Sequence, residues 1–121
     1  MKKLKVYYAH PMVFYGSQIE YDDIKTLEMM GFEVLNPNHP NNEEAYHKRN
    51  KDFNLFLELV NSCDILAFRS IINKITIGVA KEIRFAETLG MPVIELPTIT
   101  EDRILSKEET IKYFRPLNIV D

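Results

Sequence analysis

Residues 64–96 decide the fold, and they read DILAFRSIINKITIGVAKEIRFAETLGMPVIEL. Ile65–Phe68 is a short apolar run that predicts a buried strand, and apolar residues at helical spacing follow over about Ile77–Leu89. Gly90 is the kind of residue that ends a helix, and Pro92–Leu96 is a second apolar run. This order of strand, helix and strand predicts two parallel strands joined by a helix.

The rest of the chain continues the alternation of strands and helices. The further predicted elements are a strand over Leu4–Ala9, a helix from Ser17 to about Gly31, a strand over Phe32–Leu35, a helix from about Glu43 to Asn61 and a charged helix near Lys107–Phe114. Because each strand is a nearly continuous apolar run, both faces of the sheet are expected to be covered. We predict one α/β domain over residues 1–121: a three-layer, flavodoxin-like or Rossmann-like parallel sheet with helices on both faces.

The composition excludes several classes of function. A net charge of -3 lacks the concentrated basic charge of a duplex nucleic-acid binder. Cys63 is the only cysteine, so no internal disulfide is possible and a reducing compartment is favoured. The first residues show no apolar segment typical of a secretory leader, and no run of about 18 apolar residues occurs, so we expect neither secretion nor a membrane span. We expect a cytoplasmic protein whose partner is a small molecule, with no nucleic acid and no membrane.

The expected position of a ligand follows from the predicted sheet. Ligands of open parallel sheets bind beyond the carboxyl ends of the strands, where the strand order reverses. Three predicted loops lie at that edge: residues 10–17, 36–42 and 69–78. We therefore expect the catalytic and ligand-binding residues to lie in these loops and in the helix that follows the third loop.

One carboxylate in that helix occupies an unexpected position. The apolar arc of the helix consists of Val79, Ile83, Phe85, Ala86 and Leu89, and the polar arc of Lys81, Arg84, Glu87 and Thr88. Glu82 falls near the middle of the apolar arc, so it must be paired, have a raised pKa or face a cavity. An ion pair with another element, or a position where the helix leaves the core, is the structural alternative. The strand-end loop and Gly78, one turn earlier, favour a cavity.

These segments resemble a known superfamily. Asp64–Phe68, Thr76–Ile83 and Gly90–Ile94 are similar to the nucleoside 2-deoxyribosyltransferase-like superfamily over about residues 3–96. Within it, the Gly-Val-x-x-Glu pattern that ends at Glu82 looks closest to the 2'-deoxynucleoside 5'-phosphate N-hydrolases. The resemblance implies N-glycosidic bond cleavage or base exchange on a (deoxy)nucleoside or nucleoside 5'-monophosphate. It implies that Glu82 is the nucleophile, and it implies no metal or organic cofactor.

The resemblance also nominates substrate-binding residues. Thr76 corresponds to a serine that contacts phosphate in the hydrolases, although it could instead only cap the helix. The first loop departs from the family pattern because it has no Arg, which leaves 5'-phosphate recognition open. The candidates for substrate contact are His10, Met12, Tyr15, Ser17, Thr76 and Gly78, and the loop residues among them could instead be structural.

A second acidic residue is expected from the family, and its position here is ambiguous. The family acid lies about two helical turns before Asp64, where this chain has Phe56, which is not an acid. We take Asp52, one turn further from Asp64, as the second catalytic candidate, while Glu58 lies nearer to Asp64. The alternative is that Asp52 is only a solvated helix residue. His39 and His47 are interpreted as loop or surface residues. The basic residues Lys48, Arg49 and Lys51 are interpreted as a solvated helix face rather than a phosphate clamp.

The sequence leaves two alternatives to an enzymatic function. The first is a non-catalytic module that binds a nucleotide or a nucleotide-derived signal on the same fold. The second is an interaction scaffold in which Glu82 forms an ion pair. By family analogy a homo-oligomer is expected, and the apolar helix surface at Phe53, Phe56 and Leu57 could form its contact.

Overall fold

The computed structural model describes residues 3–96 and 105–118. In chain order the elements are β1 (Lys5–Ala9), α1 (Gln18–Met29), β2 (Glu33–Leu35), α2 (Pro40–Lys48), α3 (Asn54–Asn61), β3 (Ile65–Phe68), α4 (Ile77–Thr88), β4 (Val93–Glu95) and α5 (Lys107–Phe114). Short 3-10 helices span Met12–Phe14 and Arg115–Leu117. Of the predicted single domain over residues 1–121, residues 1–2, 97–104 and 119–121 lie outside the described residues.

The strands form one parallel sheet in the order β2-β1-β3-β4. β1 and β3 are the central strands, and Ala9 pairs with Phe68 at their carboxyl ends. The chain moves outward from β1 to β2 and then crosses to β3 on the other side, so the strand order reverses beside β1. The predicted α/β fold is confirmed, and the reversal lies where a ligand site is expected.

Both faces of the sheet are covered, because alternate residues of each strand point to opposite sides. Tyr7 and Phe68 pack with α3 and α4 through Val60 and Val79. Tyr8 and the other face of the central strands pack with α1 in a second buried cluster. Cys63 is buried in the first cluster.

A buried polar cluster joins the second face to the end of β3. Asp23 of α1 accepts hydrogen bonds from the Arg69 guanidinium, with 2.9 Å from Nε, and from the Tyr8 hydroxyl. All three residues are buried. Burial and the hydrogen bond to Asp23 raise the pKa of the Tyr8 phenol, which therefore stays neutral.

The predicted helix from Glu43 to Asn61 is wrong, because the chain forms two helices there. Asn50 and Lys51 interrupt it with φ angles of 54° and 57°, a left-handed conformation that no helix interior accepts. Asp52 then accepts a hydrogen bond at 3.0 Å from the backbone N–H of Asn54, which is the first residue of α3. Asn and Asp favour such local bonds over a continuous helix.

Two further details of the helices differ from the sequence prediction. α2 begins at Pro40, before Glu43, because the His39 ring accepts a hydrogen bond from the N–H of Asn41 at 3.1 Å. Leu89, assigned to the buried arc of α4, is 44% exposed because it is the C-cap, one position beyond the last residue of that helix. Gly90 follows it with a φ of 69°, in agreement with its predicted role in ending the helix.

Candidate active site

A cavity of about 560 Å³ opens at the carboxyl ends of the strands. Its wall combines the loops after β1 and β2, the helices α2 and α3 and the first turns of α4. Of the predicted site residues, the wall includes His10, Met12, Tyr15, Thr76, Gly78 and Glu82. A volume of this size is typical of sites that enclose a small molecule.

Glu82 is buried in the cavity wall, with 6% of its surface exposed. Its predicted position on the buried face of α4 is therefore confirmed. Tyr7 donates a hydrogen bond to its carboxylate from the central strand β1. Among the residues that the structure describes, Glu82 forms no ion pair, so the structural alternative of a paired carboxylate finds no partner.

Burial raises the pKa of Glu82 from its ordinary 4.5 to about 7, because the charged form loses hydration. The hydrogen bond from Tyr7 opposes this shift by stabilising the carboxylate. The balance leaves Glu82 partly ionised at neutral pH. A buried carboxylate of this kind, with a hydrogen-bond donor behind it and a cavity before it, is suited to act as a nucleophile or as an acid–base group.

Tyr7 is a site residue that sequence reasoning missed. Burial, together with the charge of Glu82, raises the pKa of its phenol well above the ordinary value, so it remains a donor. A tyrosine in the middle of a buried strand needs a partner for its hydroxyl, which is the signal that the sequence offers. Two tyrosines are adjacent in β1, and the sequence alone does not say which of them faces α4.

Two hydroxyls of the cavity wall are open to a ligand. Thr76 occupies the residue before α4 with extended backbone, but its side chain makes no capping hydrogen bond. Tyr15 is half-buried, and burial, with the nearby charges of Glu82 and Glu20, raises the pKa of its phenol to about 12. Neither hydroxyl is hydrogen-bonded to another described residue, so both can bind a polar group in the cavity.

Gly78 also lines the cavity, one turn before Glu82. A Cβ at this position would lie 3.8 Å from the Phe53 ring, which is ordinary van der Waals contact. The protein itself therefore does not require glycine here. Close approach of a ligand to the backbone at Gly78 stays a prediction.

Two of the predicted substrate contacts have other partners. The His10 ring lines the cavity, but its nitrogens lie 2.9 Å from the carbonyl oxygen of Tyr8 and 2.7 Å from Glu20. Ser17 is absent from the cavity wall. It is the N-cap of α1, where its hydroxyl accepts from the N–H of Glu20 at 3.2 Å.

Asp52, the second catalytic candidate, does not line the cavity. Its carboxylate binds the backbone N–H of Asn54 and lies 3.8 Å from Arg49. Glu58, the other acid considered, forms an ion pair with Arg49. The carboxylate that shares the described cavity wall with Glu82 is Glu43, from the first turn of α2.

The part of the wall formed by α2, Phe53 and α3 is aromatic. The Tyr46 and Phe56 ring centroids are 4.8 Å apart, and those of Phe53 and Phe56 are 5.5 Å apart. Phe53 and Phe56, which the sequence suggested for a subunit contact, thus line the cavity. His47 and Lys51 are exposed, as predicted, and also lie on its rim. Lys48 pairs instead with Glu44 on the solvated face of α2.

Residues 3–96 and 105–118 contain no group of three His, Cys, Asp or Glu side chains arranged to hold a metal ion. Over the same residues, every helix is too short or too polar to cross a membrane.

No protein-family model matches the chain, and no curated protein matches its sequence. Six solved chains are similar in structure. One is a 2-desoxiribosyltransferase from Leishmania mexicana, with a TM-score of 0.57 and 23% sequence identity. The likeness covers 82% of this chain and 67% of that chain. The chain therefore has the same α/β fold as a deoxyribosyltransferase.

Proposed function

We propose that the protein cleaves the N-glycosidic bond of a nucleoside or nucleoside 5'-monophosphate, with Glu82 as the nucleophile. The observation that carries this proposal is the buried Glu82 carboxylate, which accepts a hydrogen bond from Tyr7 and lines a cavity of about 560 Å³. The fold shared with a deoxyribosyltransferase supports it. So does the Gly-Val-x-x-Glu pattern that ends at Glu82, which resembles the pattern of the nucleotide N-hydrolases.

The reaction proceeds in two displacements. The ionised carboxylate of Glu82 attacks C1' of the sugar while the bond from C1' to the base nitrogen breaks, and the electron pair leaves with the base, which takes up a proton from solvent. This forms a glycosyl ester between Glu82 and C1' of the sugar. Water then attacks C1', gives up a proton to solvent, and releases the sugar and the Glu82 carboxylate. A second base in place of water gives base exchange.

The rest of the cavity supplies binding groups. The aromatic wall of Tyr46, Phe53 and Phe56 offers flat apolar surface on which a base can stack. The open hydroxyls of Tyr15 and Thr76 offer hydrogen bonds to the sugar or to a phosphate. The low exposure of Glu82 strengthens its attraction to the positive charge that develops at C1'.

A substrate panel tests this proposal. Ribonucleosides, deoxyribonucleosides and their 5'-monophosphates are incubated with the protein and analysed for free base by chromatography, with and without a second base. We expect free base from at least one member, and a new nucleoside where the second base is accepted. If no member of the panel loses its base, the proposed reaction is wrong.

A non-catalytic nucleotide-binding module remains the second candidate, and the position of Asp52 favours it. With Asp52 bound to Asn54 and Arg49, the cavity lacks the acid expected from the family at that position. Calorimetric titration with the same panel separates the two functions. A member that binds without losing its base supports the module.

Tyr7→Phe is expected to move the acidic limb of the pH–rate profile to higher pH. The Tyr7 hydroxyl lowers the pKa of Glu82, so its loss lets burial raise that pKa further above about 7. Fewer molecules then carry the ionised nucleophile at neutral pH. A hydrogen bond to a charged group contributes about 1.5–3 kcal/mol, which corresponds to a shift of about one to two pH units. Initial rates from pH 5 to pH 9 measure the shift.

Tyr8→Phe is the matched control for that experiment. It removes a buried hydroxyl from the neighbouring residue of the same strand, but this hydroxyl donates to Asp23 on the opposite face of the sheet. Its acidic limb should coincide with that of the wild type. Coincident limbs for Tyr7→Phe and the wild type would contradict the role assigned to Tyr7.

A further inference from the structure

His10 directly follows the central strand β1 and is almost entirely buried, with 4% of its surface exposed. Both nitrogens of its ring face acceptor oxygens. Nδ1 lies 2.9 Å from the backbone carbonyl of Tyr8, and Nε2 lies 2.7 Å from the Glu20 carboxylate of α1. The mechanism proposed above uses neither nitrogen, and neither is left to bind a substrate.

These contacts decide where the protons lie. A carbonyl oxygen only accepts hydrogen bonds, so Nδ1 must carry a proton. Glu20 also accepts from the backbone N–H of Gly16 at 3.2 Å and from the side-chain amide of Asn38 at 3.1 Å. Both Glu20 oxygens therefore act as acceptors, as the oxygens of an ionised carboxylate do. Nε2 must then carry the second proton, and His10 is an imidazolium bound to a carboxylate.

The surroundings of His10 fit a cation. The Tyr8 ring stacks on one face of the imidazole, with centroids 3.9 Å apart and planes at 4°, and the Tyr15 ring lies 5.0 Å away. Aromatic faces attract a cation. Beneath Tyr8, the charges of Asp23 and Arg69 pair with each other. On the cavity side, Glu82 and Glu43 act on Tyr15 and add negative potential.

The ion pair of His10 and Glu20 connects separate parts of the cavity wall. Through Gly16, Glu20 holds the loop after β1, which carries Met12 and Tyr15. Through Asn38, it holds the loop after β2, which also lines the cavity. His10 anchors this carboxylate to the end of the central strand. One carboxylate therefore fixes both loops to the same helix.

We infer that His10, as an imidazolium bound to Glu20, is a positioning residue that sets substrate affinity by fixing the two loops, and does not contact substrate itself. The kinetic part of this inference rests on the proposed function. Glu82 lies on α4 and is held by Tyr7, outside this network. Loosening the loops should therefore raise KM and leave kcat nearly unchanged.

The experiment compares the wild type, Glu20→Gln and the control Asp22→Asn. Asp22 is an exposed acid on the same helix whose carboxylate binds only Gln18 among the described residues. Nitrogen-15 NMR of the imidazole ring reports which ring nitrogens carry protons at neutral pH. KM and kcat are measured with the member of the substrate panel that loses its base fastest.

In the wild type and in Asp22→Asn, both His10 nitrogens should be protonated. In Glu20→Gln, one should lose its proton, KM should rise roughly tenfold or more, and kcat should stay within about threefold. A wild-type His10 ring with one proton overturns the inference, and so does an unchanged KM in Glu20→Gln. The wild-type spectrum decides the protonation even if Glu20→Gln does not fold. If no substrate loses its base, the proposed function fails while the spectrum still tests His10.

Discussion

Glu82→Gln is expected to abolish base release, with a loss in kcat of about 10⁴-fold or more. Glutamine keeps the size and the hydrogen-bonding capacity of the side chain but cannot form the ester with C1'. The cavity, the aromatic wall and the Tyr7 hydroxyl remain, so nucleoside binding should persist. Chromatographic assay of free base and calorimetric titration of the same nucleoside measure the two effects separately.

The same substitution should stabilise the protein at alkaline pH. The pKa of Glu82 is about 7 in the folded chain against an ordinary 4.5, so the folded state holds a proton that the unfolded state has released. The contribution of Glu82 to the free energy of unfolding is fully present below about pH 4.5 and is lost as the pH rises through about 7. The difference between the folded and unfolded pKa values of Glu82 corresponds to about 3 kcal/mol of unfolding free energy. Urea unfolding of Glu82→Gln should show a gain of up to that size at pH 8 and almost none near pH 4.

Glu87→Gln provides the control on the exposed face of the same helix. It removes one carboxylate from α4 without touching the cavity, so both its base release and its stability should match those of the wild type. Undiminished base release in Glu82→Gln would exclude the nucleophile role. A Glu82→Gln protein that is less stable than the wild type at pH 8 would contradict the account of its burial.

Asp23→Ala is expected to destabilise the fold by about 3–5 kcal/mol. The substitution takes the carboxylate partner from the Arg69 guanidinium and the acceptor from the Tyr8 hydroxyl. All three side chains are buried, so water does not replace the hydrogen bonds that Arg69 and Tyr8 lose. The cluster also ties α1 to the ends of β1 and β3, beside the cavity. Urea unfolding at neutral pH measures the loss.

Asp22→Ala is the comparison for that measurement, because it removes the neighbouring carboxylate from the solvent side of α1. A change within about 0.5 kcal/mol is expected there. If Asp23→Ala loses less than about 1 kcal/mol, the buried pair with Arg69 does not stabilise the fold as described.

The α/β fold and the buried side of α4 were predictable from the sequence. Apolar strands followed by amphipathic helices have few alternatives to a covered parallel sheet, and the helix near Lys107–Phe114 carries its own capping residue, Ser106. Glu82 could be singled out because a helix has a well-defined period, so one polar residue on the apolar arc is visible.

The residues that join Glu82 in the cavity wall could not be predicted in the same way. Tyr7 and Glu82 are 75 positions apart, and a strand that is buried on both faces shows no alternation to reveal which tyrosine faces α4. The break at Asn50 and Lys51 hid the aromatic wall, because a continuous helix would have turned Tyr46 and Phe56 differently. The local bonds of Asp52 and Ser17 likewise compete with the family roles assigned to them.

The covalent intermediate on Glu82 is the most direct test of the proposed reaction. The wild-type protein is mixed with a substrate from the panel, quenched in acid during turnover, digested and examined by peptide mass spectrometry. We predict that the peptide containing Glu82 carries the additional mass of the sugar, on the glutamate itself, and that the corresponding peptide of Glu82→Gln does not. Turnover with the sugar attached to another residue, or with no residue modified, would contradict the account.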